Sequence, residues 1–310
     1  MSIEIKSMTV VVHIGANKSG STTLQRKLFA RHPSIHYVGE DASDYQDYRT
    51  LLFQFLSADD IFWNREQFEK FIVEQLDKAA GKTFVFSSED IMTSAVASLC
   101  AQRLRALLGD AKILLIIRNQ FTALESFYAS HGAYLRDAPS PYFRRYVPLE
   151  NWLSYHSSVT EHGPVASFDY VRFVDYFESL FGTGSVNILL FEDMVEERER
   201  FRQQLSQVLC IPEDVIARHL DHAHERKRDT VRFHNYRKFR SFLGGRLPFN
   251  GPRGQDYLSR ALSQFLYSGP PVQIVLPDYW KRHLTARYAA GNARLASAYG
   301  LPLQDYGYPL

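Results

Sequence analysis

The chain has 310 residues, 45% apolar and 23% charged, the balance of an ordinary folded chain, which excludes a disordered or low-complexity protein. Its formal net charge of +2 makes no case for a surface that binds polyanions over its whole extent, so no nucleic-acid partner is expected. Cys100 and Cys210 match no metal or redox spacing and suit a reducing compartment. No apolar stretch nears the ~20 residues that span a bilayer, and Met1–Lys6 opens no secretory leader. The expectation is a cytoplasmic enzyme whose residues 1–310 form a single domain.

In chain order, Val10–Ile14 is a short apolar strand that runs into a loop with two glycines, then into a helix opening at Leu24-Gln25-Arg26-Lys27-Leu28-Phe29. An amphipathic stretch from Arg65 to Ala80 precedes a second strand, Thr83–Ser87. A third, Lys112–Ile117, is a near-continuous apolar run, the mark of a strand buried on both faces. A helical stretch, Phe121–Tyr134, and an aromatic loop, Asp137–Pro148, follow; a fourth strand lies at Val186–Phe191. This alternation predicts an α/β fold, a central and mainly parallel sheet with helices on both faces. Ligands on such sheets sit beyond the carboxyl ends of the strands, and each predicted strand here ends in polar residues.

The first of these ends is the most constrained. In Gly15-Ala16-Asn17-Lys18-Ser19-Gly20-Ser21-Thr22-Thr23 the glycines let backbone N–H groups approach an anion, and Lys18 supplies a point charge. Ser19, Ser21, Thr22 and Thr23 supply hydroxyl donors, and the following helix adds the positive end of its dipole. The ligand is a phosphate or something shaped like one; the competing reading is a Gly/Ser turn with a solvated lysine. A nucleoside-triphosphate loop places lysine directly after the second glycine. Here the lysine precedes it by two positions, which argues against an ordinary ATPase or kinase. The order resembles the Lys-[ST]-Gly-[ST]-[ST] loop of sulfotransferases that use 3′-phosphoadenosine 5′-phosphosulfate (PAPS).

The third strand ends at Arg118, and Ser126 stands eight residues on, two helical turns away. An arginine fork with a nearby hydroxyl suits a second phosphate, unless Arg118 merely pairs a surface carboxylate. The pair resembles the second sulfotransferase motif, which implies contact with the cofactor's 3′-phosphate. The second strand ends in Ser87-Ser88-Glu89-Asp90. A carboxylate there suits a general base, and the resemblance implies that role for Glu89; the competing reading is a helix cap by Ser88 or Glu89. His13, His36 and Glu40 are the reserve candidates: His13 reads as a core or supporting histidine, and for the other two, which follow the first helix, the resemblance implies acceptor binding.

The resemblance continues through Phe168-Asp169-Tyr170, through Leu189–Met194, and through Val208-Leu209-Cys210-Ile211-Pro212, where Cys210 stands at a common glycine position. The C-terminal stretch Asn292–Tyr308 is similar to bacterial sulfotransferases acting on carbohydrates or lipid-linked sugars, which implies such an acceptor. A third cofactor element of the family would fall on Arg226-Lys227-Arg228, although no glycine follows and a solvated basic face is the alternative. His219, His222 and His224 have no partnering metal pattern, and no metal is expected. Arg144 and Arg145, among Tyr142, Phe143 and Tyr146, suit sugar rings or anionic acceptors as well as ordinary packing; the loop Gly244–Pro252 is equally undecided. Two rival classes stand beside the sulfotransferase: a nucleotide-dependent kinase using Glu89-Asp90 for magnesium, and a non-catalytic module that binds anions or nucleic acid.

Overall fold

The computed structural model describes residues 8–132, 146–159, 162–220, 229–242 and 257–310. Five strands form one sheet: β1 (Val10–His13), β2 (Ile35–Gly39), β3 (Thr83–Ser87), β4 (Lys112–Ile117) and β5 (Val186–Leu190). Their spatial order is β2-β3-β1-β4-β5, and every neighbouring pair is parallel. The predicted α/β class and the four predicted strands are present, two of them one residue shorter. The fifth strand, β2, was not predicted.

The apolar runs reflect a sheet buried on both faces. Successive side chains of a strand point to opposite faces. In β4, Ile113, Leu115 and Ile117 therefore join one core layer, while Leu114 and Ile116 join the other. Phe84 and Phe86 of β3 divide from Val85 in the same way, as Val10 and Val12 of β1 divide from Val11. Helices Tyr45–Ser57, Arg65–Lys78, Ala97–Leu108, Tyr170–Phe181 and Asp278–Tyr299 cover the larger layer; Arg198–Leu209, Glu213–Leu220 and the π-helical segment Leu24–Phe29 cover the smaller. At ~1.5–3 kcal/mol for each fully buried large apolar side chain, this two-sided burial is the main force that orders the sheet.

The chain leaves β1 toward β2 and β3, then crosses to β4 and β5 on the other side. The carboxyl ends of β1, β3 and β4 meet at that reversal, where open α/β sheets form a crevice. Among the described residues, no helix is long and apolar enough to cross a membrane.

Candidate active site

The loop after β1 stays attached to the sheet at its start: Ile14 N–H donates to the Leu114 carbonyl and Ala16 N–H to that of Ile116. It then turns sharply. Lys18 has φ 68° and Gly20 has φ 85°, both left-handed. Gly20 also fits tightly, because a Cβ there would lie 2.9 Å from Met194 Sδ and 3.3 Å from the Phe191 ring. The helix Ser21–Thr23 begins immediately after it, with no side chain capping its N-terminus. Its first N–H groups have no intrahelical partner.

The hydroxyls of Ser19 and Ser21 are buried, 0% and 1% exposed, and have no hydrogen-bond partner. Buried unpaired hydroxyls are costly, and a ligand with several anionic oxygens is the kind of partner that would satisfy them. Thr22 and Thr23 are half-buried beside them. The residues present therefore fit the phosphosulfate end of PAPS: an uncapped helix start, orphaned donors, a tight glycine and a lysine. Lys18 Nζ lies 6.0 Å from the centre of the Phe127 ring, on the helix that also carries Ser126.

Arg118 follows β4 and reaches back to this loop. Its Nη1 donates to the Lys18 carbonyl at 2.9 Å, its Nε donates to Thr122 Oγ1 at 3.0 Å, and its guanidinium lies 4.5 Å from the centre of the Phe191 ring. The backbone behind it is fixed by buried Tyr170, whose hydroxyl donates to the Arg118 carbonyl at 2.7 Å. Asn119 caps the next helix by accepting from the N–H groups of Phe121 and Thr122. Its own N–H donates to Glu192, which also accepts from the Tyr308 hydroxyl. Burial holds the Glu192 carboxyl above the usual range. Ser126, two turns along the helix Gln120–Phe127, is half-buried.

Glu89 begins a 3₁₀ turn, Glu89–Thr93, just past β3. Ser88 N–H donates to the His13 carbonyl, which places Glu89 against the end of β1. Ser88 occupies the cap position but makes no capping bond with its side chain. Glu40, first beyond β2, joins this rim: partial desolvation, then the charges of Asp90 and Asp41, push its carboxyl pKa up. His36 is not brought there. It lies opposite Phe84, about three residues or ~10 Å back along the strands, stacks on that ring, and bonds Gln75 at 2.8 Å. Arg144, Arg145, Arg226, Lys227, Arg228 and the loop 244–252 lie outside the described residues. Among the described residues no group of three His, Cys, Asp or Glu could hold a metal. His219 bonds the Lys27 carbonyl through Nδ1 at 3.0 Å.

Sequence reasoning missed the supports: Phe191 beneath Arg118, Phe127 beside Lys18, and Tyr170 and Asn119 behind the arginine. Only Asn119 carried a local signal, a capping residue directly before a helix.

These features define an α/β protein with a tight glycine-bearing loop and unpaired buried hydroxyls at the carboxyl edge of a parallel sheet. Compared with solved structures, the chain resembles a sulfotransferase from Alicyclobacillus acidocaldarius with a TM-score of 0.55 and 16% identity, over 97% of this chain and 99% of that one. That likeness shows the fold: the chain has a sulfotransferase fold. A mouse sulfotransferase complexed with PAP aligns more loosely, with a TM-score of 0.47 and 12% identity, over 92% of this chain and 87% of that one. No family model and no curated protein matches the sequence.

Proposed function

We propose that the protein is a PAPS-dependent sulfotransferase acting on a hydroxyl acceptor, a carbohydrate or glycolipid. The observation that carries this reading is the bond from Arg118 to the Lys18 carbonyl. It links two anion motifs that lie a hundred residues apart, which supports one site for a ligand with two separated anionic ends. PAPS is such a ligand, and it supplies an activated sulfuryl group. Lys18 and the loop donors sit where negative charge collects on the departing phosphate oxygen, and preorganised donors there favour the transition state. Glu89, across from β1, takes the proton of the acceptor hydroxyl as its oxygen bonds to sulfur. Arg118 and Ser126 hold the 3′-phosphate, and Glu40 stands on the acceptor side. The acceptor class rests on the C-terminal resemblance.

Calorimetry with 3′-phosphoadenosine 5′-phosphate (PAP) against ATP tests this. Tight binding of PAP without magnesium is expected. Preference for ATP with magnesium would replace the reading with a kinase, and binding of neither would replace it with a non-catalytic module.

A further inference from the structure

The fully buried His13 lies directly under the cradle, and one side of its ring is accounted for. Gln25 Nε2–H donates to Ser87 Oγ at 3.1 Å, and Ser87 Oγ lies 2.8 Å from His13 Nδ1. With Ser87 Oγ accepting from Gln25 and donating its proton to His13 Nδ1, the imidazole proton sits on Nε2, the tautomer that the proposed arrangement requires. That Nε2–H has no partner, although His13 is 0% exposed. The nearby Ser21 hydroxyl is also buried and unpartnered. The two face each other across Gly15: a Cβ on that residue would lie 2.5 Å from His13 Nε2 and 2.6 Å from Ser21 Oγ. Any side chain at position 15 would fill the space between them.

Two buried orphan groups, one a donor and one able to donate and accept, are resolved together by one arrangement. We infer that His13 is a positioning residue of the anion cradle, whose Nε2–H engages Ser21 Oγ so that the Ser21 proton is aimed at the bound phosphate. Hydrogen bonds then run in one direction, from Gln25 through Ser87, His13 and Ser21 to the anion, and each polarises the next. Burial lowers the His13 pKa to about 3, so the ring stays neutral at any working pH and keeps its single Nε2 proton. The inference rests on the proposed anion site, and its test separates the two.

Asparagine mimics the Nδ1 edge of histidine and glutamine the Nε2 edge. His13→Asn should keep the contact with Ser87 and the thermal stability, yet weaken PAP binding ~10-fold, the equivalent of one buried hydrogen bond. His13→Gln should restore affinity to within ~3-fold, because its amide reaches Ser21. Equal PAP affinity in His13→Asn and the wild type would overturn the inference. Should His13→Asn fail to fold, imidazole ¹⁵N resonances of the wild type decide. A neutral Nε2–H tautomer whose proton shifts on saturation with PAP is expected; an Nδ1–H tautomer or an unmoved signal overturns it. Failure of wild type to bind PAP would remove the sulfotransferase reading alone. Inorganic pyrophosphate then serves as the probe, and a His13 signal that it leaves unmoved overturns the inference as well.

Discussion

Lys18 holds a left-handed backbone that costs a non-glycine residue about 1–2 kcal/mol, and its carbonyl is taken by Arg118. The strain is consistent with an ammonium fixed at one place in the cleft. Lys18→Ala should lower kcat at least ~10²-fold, as removal of an oxyanion donor does, with PAP affinity falling less; unchanged turnover would sink the assignment. Glu89→Gln keeps the shape of the 3₁₀ turn and removes the base. It should bind PAP normally in calorimetry and lose transfer, whereas a loss of folding would mark Glu89 as a structural cap. His13 also makes a stability prediction. Its folded pKa, about 3, lies below the ordinary ~6.5, so between those values the unfolded chain binds the extra proton. The neutral ring's contribution is complete above the unfolded value and is lost as pH falls through it. Going from pH 7 to pH 5 should cost about 2 kcal/mol from this residue alone. His156 and His234, each lowered to about 4 by burial, act in the same direction. Denaturant unfolding at the two pH values checks this, and equal stability would refute it.

At the scale of elements, the positive φ of Cys210, 55° at the end of helix Arg198–Leu209, explains why that position suits glycine. Cys210→Gly should relieve more left-handed strain than it adds in unfolded-chain entropy, raising Tm by about 1–2 °C. A fall in Tm would show that the 3.3 Å contact from Lys112 Nζ to Cys210 Sγ outweighs the strain. Four strands were legible because burial on both faces gives each an unbroken run of at least three apolar residues. β2 was not. In Ile35-His36-Tyr37-Val38-Gly39 only Tyr37-Val38 remain as an unbroken apolar pair between His36, which bonds sideways to Gln75, and the terminal glycine, whereas β5 keeps Ile188-Leu189-Leu190 intact beyond Asn187. The turn after β1 was legible because its glycines and hydroxyls stand at the spacing that a tight strand-to-helix loop needs. The supports Tyr170 and Phe191 were not, since they meet Arg118 only through tertiary packing. Two helices begin or continue as π-helical turns, Leu24–Phe29 and Tyr128–Gly132, and both flank the cradle. Their amphipathic pattern gives no sign of that winding.

Across the whole molecule, residues 303–310 return to the centre of the sheet. Asn119 Nδ2 donates to the carbonyls of Tyr306 and Gly307 at 2.9 and 2.7 Å. Asn292 donates to the Pro309 carbonyl and exchanges hydrogen bonds with Gln120. Tyr306 bonds Asp193, which also pairs with Arg200. The C-terminal segment thereby braces the strand ends on the β4–β5 side, including the residue next to Arg118. Within that frame the arginine's reach to the Lys18 carbonyl has a thermodynamic meaning. In the proposed site either anion would draw on the Arg118–Lys18 link that the other also uses, and such coupling is reciprocal. Pyrophosphate and adenosine 3′-monophosphate should each raise the affinity for the other by a similar factor, ~5-fold or more. Arg118→Lys, which loses the guanidinium fork, should make the two titrations independent; coupling that survives it would place the link elsewhere. On the proposed function, a site linked in this way would hold one molecule that carries both anions more tightly than it holds the separate fragments.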